Sequence, residues 1–315
     1  IYGYYPTYDR KFTAYNILRH TISIESLIWA YELTGDESLL PKIESTIAYL
    51  EDNIVYMDNE TAFAADSPND EIKLGGNAIA VILLDQYMEA FGTDRYKELC
   101  RALGNGILYL EDIEKGTYYH VLNMDFSKKE EYRTVYYDGE ATYALAVLYG
   151  MTGEEKWLSG AEAAVLHFIE ADYTRYRDHW VAYSVNEVTK YLPKQEYFEF
   201  GLKNVSDNLS EIYNRETSYH TYLELLMASY EMYLRIENVP EWFDGDALKE
   251  TIWRRAEHML NGFLYPEYAM YLKNPAAIEG TFCVRHDGYR IRIDDVTHFI
   301  AGYYHMLLEY DGLSQ

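Results

Sequence analysis

The sequence predicts an all-α fold of repeated helical hairpins, on three observations. Apolar residues recur at helical rather than strand spacing along most of the 315 residues. The helical segments alternate between two kinds, one apolar on nearly every face and one with a single apolar stripe. Three junctions between them share a corner in which glycine precedes an acidic residue. A helix with no polar face must be covered on all sides and is read as inner. A striped helix can face water and is read as outer.

Inner segments fall near 15–34, 74–91, 139–150, 179–191, 219–236 and 295–310, in runs such as IESLIWAYEL, AIAVILLDQYMEAF and ATYALAVLYG. Outer segments fall near 37–53, 94–112, 154–171, 195–213 and 246–263, as in LLPKIESTIAYLED and EEKWLSGAEAAVLHFIEA. The corners are YELTGDESLL (31–40), LYGMTGEEKWL (148–158) and the looser YMEAFGTDRYKEL (87–99). In each, glycine supplies a left-handed C-cap and the acid suits the first turn of the next helix. The repeating unit is therefore an inner helix followed by an outer one, at an uneven spacing of roughly 40 to 75 residues. Two connections read as strand pairs that run straight into an inner helix: GTYYHVLNMDF (116–126) with EYRTVYY (131–137), and TFCVRHDGYRIRIDD (281–295), turning at Asp287-Gly288.

Six inner helices with intervening outer ones resemble the (α/α)6 toroid of the six-hairpin glycosidase superfamily, which includes sugar epimerase and uronate lyase relatives. The resemblance rests on the hairpin rhythm and the Thr-Gly-acidic corner, and it covers most of the chain. It implies one toroid domain over residues 1–315, lacking the last outer helix, with β-hairpins over the inner-helix N-termini and a carbohydrate-directed pocket at that end. Only five outer helices are counted, and the chain stops where a sixth would follow. Flanking domains of a longer chain are therefore expected.

Charge narrows the partners. A formal charge of −25 and a pI near 4.7 repel phosphate, which argues against nucleic acid and against an anionic membrane surface. No apolar run reaches the roughly 20 residues of a membrane span. Cys100 and Cys283 are the only cysteines, so there is no disulfide framework and no thiolate cluster, and a single bridge between them stays an open alternative. The chain starts at Ile1 rather than Met, which leaves localisation open, with the cytoplasm favoured. Tyrosine is the extreme of the composition, at 35 residues against 11 Phe and 5 Trp. Its apolar ring and hydroxyl tip suit sugar-facing walls and polar-lined cores alike.

Polar residues gather at every inner-helix start. YNILRH brings Tyr15, Asn16, Arg19 and His20; EIKLGGNA brings Lys73 and Asn77; YYDGEATY brings Tyr137, Asp138 and Glu140. DHWVAYSVNE brings His179, Trp180 and Glu187, SYHTYLE brings His220 and Glu224, and the last excursion and RIDDVTHF bring Arg285, His286, Arg292, Asp294, Asp295 and His298. Asn16 with His20, Lys73 with Asn77, and His220 with Glu224 are each four apart and share a helix face. If the inner helices run parallel, their free N–H groups and positive dipole ends converge on one hydroxyl-rich or anionic ligand. Capping alone would explain Asn16, Asp138, Asp178, Ser218 and Asp294. It would not explain the histidines, arginines, lysine and tryptophan beside them.

Three functions fit these residue types, with glycoside hydrolysis by an enzyme ranked first and the other two as its alternatives. Glycoside hydrolysis needs a carboxylate pair, for which Asp138 with Asp295 is favoured, both following a strand excursion, and Glu140 is the next candidate. Uronate lyase or sugar epimerase chemistry needs a cation for the substrate and Tyr or His to move a proton. Tyr15, Asn16, Arg19 and His20 supply those types, with Arg285, His286, Arg290 and Arg292 as a second basic group. A non-catalytic glycan-binding or scaffold domain of an envelope-polymer system would keep the same pocket. The expected partner in all three is an oligosaccharide or polysaccharide, anionic under the second. No HExxH, EF-hand or cysteine ligand set is present, so neither metal nor cofactor is expected.

Overall fold

The computed structural model describes residues 2–12 and 14–314. Its packing divides the chain into two compact units, Asn16–Asn204 and Ile1–Tyr15 with Val205–Gln315.

The larger unit, 16–204, holds four inner helices: α1 (Ile17–Thr34), α3 (Leu74–Phe91), α5 (Tyr136–Thr152) and α7 (His179–Tyr191). Each is followed by an outer helix: α2 (Leu40–Asp52), α4 (Lys97–Leu110), α6 (Glu155–Glu170) and α8 (Gln195–Ser206), the last running two residues past the unit's end. Inner helices pack in the order α1, α3, α5, α7. The burial pattern follows the sequence reading: α3 buries Ala78, Ile79, Val81, Ile82, Leu83 and Leu84 around its whole circumference, each large aliphatic chain being worth about 1.5–3 kcal/mol. The striped helix α2 buries only Ile43, Ile47 and Leu50. The glycine corners are as expected, with Gly35, Gly92 and Gly153 at φ of 65°, 60° and 69°. Gly139 serves a different purpose, since a Cβ there would lie 2.7 Å from Trp180 Cβ and Val181 N. Its absence is what lets α5 press against α7.

Five strands form the unit's main sheet, in the order β3 (Ile54–Tyr56), β4 (Ala62–Asp66), β5 (Glu71–Lys73), β8 (Val121–Leu122) and β9 (Lys128–Glu130). All neighbouring pairs are antiparallel. A two-stranded ribbon, β6 (Glu111–Asp112) with β7 (Thr117–Tyr118), falls in the chain between β5 and β8. The excursion before α5 is expected as one hairpin, 116–126 with 131–137. Its first arm is instead split between the ribbon and the sheet, because Val121 and Leu122 pair with β5 on one side and β9 on the other, and its second arm is not a strand: β9 stops at Glu130 and α5 begins at Tyr136.

The smaller unit holds α9 (Leu209–Asn214), the inner helices α10 (Thr221–Tyr233) and α14 (Ile293–Leu308), and the outer helix α11 (Gly245–Met259). Two single turns, α12 (Pro266–Ala269) and α13 (Pro275–Ile278), occupy the long connection, and a third, α15 (Tyr310–Leu313), ends the chain. Gly302 admits Leu223 where α14 meets α10, a Cβ there lying 2.9 Å from Leu223 Cβ. The strand β1 (Gly3–Tyr5) pairs with β2 (Arg10–Lys11) and with β10 (Ile291–Arg292), so the N-terminus closes the sheet that launches α14. Val284 and Arg290 bridge across the turn at Asp287-Gly288, as the sequence pattern predicts. Cys100 and Cys283 are free, buried thiols.

Candidate functional site

In the larger unit, hydrogen bonds tie the four inner-helix starts together. Asn16 caps α1, its Oδ1 accepting from Leu18 N and Arg19 N, while Asp66 at the end of β4 accepts from Ile17 N at 3.3 Å and from Asn16 Nδ2 at 3.4 Å. Lys73, the last residue of β5, ion-pairs with Asp66 and with Glu71, 3.2 Å away. Glu71 also takes Arg133 at 2.6 Å and Lys129 at 2.9 Å. Burial opposes its charge, yet these three cations hold its carboxyl down near 2. His120 accepts from Arg133 N at Nδ1, so its Nε2 donates to Asp138 Oδ1 at 2.9 Å, and Tyr173, before α7, donates to Asp138 Oδ2 at 2.9 Å. Asn77 is fully buried and acts as a brace, donating to Ala62 O and Leu103 O and accepting from Ala64 N, all at 2.9 Å.

Several residues singled out from sequence therefore have structural work. His20 points to the outer helix, with Nε2 2.8 Å from Thr46 O and its ring on Tyr49, and burial lowers its pKa. Asn77 and Lys73 hold strands to helices. Asp138 is a buried acceptor between His120 and Tyr173. Tyr137 is buried beside the His120 ring, and Glu140 faces Gly75, whose missing side chain leaves its carboxylate room. His179 lies 3.6 Å from Asp178 Oδ1 and packs on Trp180, which in turn meets Tyr143 and Tyr183. Glu187 sits two turns into α7, accepting from Lys190 at 2.5 Å and from Tyr191 at 3.0 Å. Arg19 lies in the first turn of α1.

The smaller unit brings together the rest. Asp295 accepts from Arg290 at 2.8 and 3.1 Å and from Arg292 at 3.1 Å, and Asp294 pairs with Arg292. His220 Nε2 stands 3.7 Å from Asp295 Oδ1, and its Nδ1 has no hydrogen-bond partner among the described residues. The His220 ring stacks on Phe299 and lies 5.6 Å, centroid to centroid, from His298. His298 Nδ1 is 2.9 Å from Glu224 Oε1, so α10 and α14 are pinned at their first turns. Arg285 and His286 lie on the turn before β10, and Tyr15 stacks on Tyr2.

Neighbouring charges drive the two imidazoles apart. Burial lowers the pKa of His220 well below its usual value, and the positive charges of His298, Arg290, Arg292 and His286 push the same way. For His298 burial also opposes charge, but Glu224, Asp294 and Asp295 outweigh it and raise the group to about 9. Near neutral pH the pair is one uncharged imidazole beside one imidazolium. Both side chains keep a small exposed edge, 16% for His220 and 15% for His298, enough to touch a ligand.

Sequence reasoning had Arg290 in its second basic group but missed Asp66 and Glu71, because strands β4 and β5 leave no alternating pattern long enough to read, and Arg133, which lies in the connection between β9 and α5. It also missed Asp85 and Glu111, whose carboxyls burial lifts to about 7; nothing in their local sequence marks them.

No family model matches the chain, and no curated protein matches it by sequence. Solved structures do match. Cellobiose 2-epimerase from Bacillus thermoamylovorans superposes with a TM-score of 0.71 at 9% identity, covering 98% of this chain and 92% of its own. A sugar epimerase from a ruminal bacterium gives 0.68 at 13%, again over 98% and 92%. Unsaturated glucuronyl hydrolase from a Bacillus species gives 0.64 at 12%, over 93% and 86%. The chain shares the (α/α)6 toroid fold of these proteins.

Proposed function

We propose that the chain is a carbohydrate-active enzyme that moves a proton beside a sugar carbonyl, as an epimerase or isomerase does. The observation that carries this reading is the His220–His298 pair, two imidazoles 5.6 Å apart, His298 on Glu224 at 2.9 Å and His220 beside Asp295 at 3.7 Å among cations that oppose its charge. Groups whose surroundings drive their pKa values apart are the mark of an acid and a base at work.

In the proposed step an open-chain sugar presents its carbonyl to His298 and the neighbouring carbon to His220. Neutral His220 takes the C2 proton while imidazolium His298 donates its proton to the carbonyl oxygen, leaving a neutral enediol. Return of a proton to the opposite face of C2 gives the epimer. Return to C1 gives the ketose. Arg290 and Arg292 fix Asp295, and Asp295 in turn orients His220; these are positioning residues. The carboxylate pair favoured for hydrolysis fits less well. Asp138 is engaged by His120 and Tyr173, and Asp295 by two arginines, so both carboxylates already have their oxygens taken up by partners in the protein. Fold likeness to epimerases and to a hydrolase does not choose between the chemistries; the imidazole pair is what supports proton transfer over hydrolysis.

The test is exchange in heavy water. D-mannose, D-glucose and cellobiose are incubated with the protein in D2O and followed by NMR. The expected result is deuterium at C2 with a new epimer or ketose, and a loss of about 10²–10⁴-fold in His220→Ala and His298→Ala. Glycosidic cleavage without exchange, abolished by Asp138→Asn, would replace this reading with the hydrolase.

A further inference from the structure

A recess in the smaller unit lies apart from the imidazole pair. Thr7, Asn261, Phe263, Tyr268, Tyr271, Arg285 and Tyr289 line a cleft of about 170 Å³, room for several waters or one small ring. Its floor is a separate hydrophobic cluster of Tyr4, Leu264, Ala269, Ile278 and Cys283, with Leu272 packed against it. We propose that this cleft is an accessory saccharide subsite selective for an acidic sugar unit, a hexuronate. The proposal shares the carbohydrate reading above but not its chemistry.

Three features define the ligand class. Tyr268 and Tyr271 are 55% and 81% exposed, so large ring faces stand in water at the edge of the cleft rather than in the core. Aromatic faces rimmed by hydrogen-bonding groups match a pyranose, whose C–H face is apolar and whose edge is all hydroxyl. The rim here is the Thr7 hydroxyl, the Asn261 amide and the tyrosine hydroxyls. The third feature is Arg285. It reaches Asn261 O at 3.4 Å and lies over the Tyr289 ring at 5.8 Å, and among the described residues no carboxylate pairs with it. In a chain of net charge −25, an exposed guanidinium on the rim of an aromatic cleft, with no acid paired to it among the described residues, is placed to meet an anion from outside. A guanidinium meets a carboxylate in bidentate fashion, which a neutral sugar cannot reproduce.

The field disfavours the obvious rival. An extended acidic peptide would set many like charges against the chain's own field, where a hexuronate brings one. The cleft is also joined to the imidazole pair by covalent structure. Arg285 and Tyr289 lie on the same turn as Arg290, whose guanidinium clamps Asp295. That turn is held by Gly288 at φ 60° and Tyr289 at φ 61°, and by Thr7 donating to Gly288 O at 3.0 Å. A sugar bound here thus touches the segment that positions Asp295, and an oligosaccharide could occupy the cleft with one unit and the imidazole pair with another.

Binding is read apart from turnover by using His220→Ala in the full chain and titrating D-glucuronate and D-glucose by protein-observed NMR. Glucuronate is expected to bind about tenfold tighter than glucose, with shifts at Tyr268, Tyr271 and Arg285. Arg285→Ala should remove the preference, Arg285→Lys should keep part of it, and Tyr271→Ala should weaken both sugars several-fold while leaving the ratio. Equal affinity for the two sugars, a preference that survives Arg285→Ala, or no binding of either overturns the proposal. So does displacement of glucuronate by a short glutamate peptide, which would make the cleft a peptide site. If exchange at C2 fails in wild type while glucuronate binds here, the subsite stands without the epimerase reading.

Discussion

The helix starts of the larger unit and those of the smaller unit carry the same residue types and use them differently. In the larger unit, Asp66, Glu71, Lys73 and Arg133 neutralise one another, and Asp138 is met by His120 and Tyr173. In the smaller unit, His220 has cations on several sides and a buried Nδ1 with no partner among the described residues. Its neighbour His298 is held protonated by acids. The difference teaches that polar residues gathered at a helix start do not by themselves announce chemistry. A satisfied network locks a fold; opposed titrations leave a proton to be moved.

That contrast is broken most directly at Lys73. Removing it leaves Asp66, which is wholly inaccessible, with no cation, and uncompensated buried charge is among the costliest single defects. Lys73→Ala should therefore lose about 3–5 kcal/mol in urea unfolding. Ligand affinity in the smaller unit should be unchanged at temperatures where the protein stays folded. A stability loss under 1 kcal/mol would mean that the larger unit's network is not the lock described here.

Asp138 sharpens the contrast because the hydrolase reading puts it at the centre of turnover. In the structure its two oxygens accept from a buried ring nitrogen and a buried hydroxyl. Asp138→Asn should then cost about 1–3 kcal/mol of stability by disturbing those bonds. Exchange at C2 should fall only as far as folding does. Abolished turnover in a protein of normal stability would move Asp138 into the chemistry.

Much of this was legible beforehand, and the limits have physical causes. The inner and outer helices could be read because a helix buried on all sides must be apolar on all sides, as Ile79, Val81, Ile82 and Leu83 are in α3. The glycine corners could be read because Gly35, Gly92 and Gly153 take a backbone conformation that other residues resist. The five-stranded sheet could not, since β3 and β5 have three residues each and offer no period. At the site, the sequence placed His220, His298, Asp295 and Arg292 at helix starts but could not show which residues would be consumed by structure. Asn16, His20, Lys73 and Asn77 have the right spacing for a ligand face, yet each finds its partner in the protein. Spacing sets which residues share a helix face. What that face meets is decided by residues tens of positions away, as Thr46 is for His20 and Leu103 for Asn77.

The most gradual expected effect is a slope, and it isolates His298. Its pKa stands at about 9 in the folded chain against an ordinary 6.5, a stabilisation of about 3 kcal/mol at most. Because the folded value is the higher one, this contribution is fully present below pH 6.5 and drains away as pH rises through 9. Urea midpoints of the wild type should decline across that window, and in His298→Asn the decline should disappear. His220 has the opposite sign: a pKa held low favours folding above pH 6.5 and erodes it in acid, so His220→Asn should flatten the acid limb instead. Turnover should follow the same alkaline limit, failing near pH 9 as the acid loses its proton. A wild-type stability curve that is flat between pH 6.5 and 9 would leave His298 neutral, and without its charge the contrast between the two units has no chemical content.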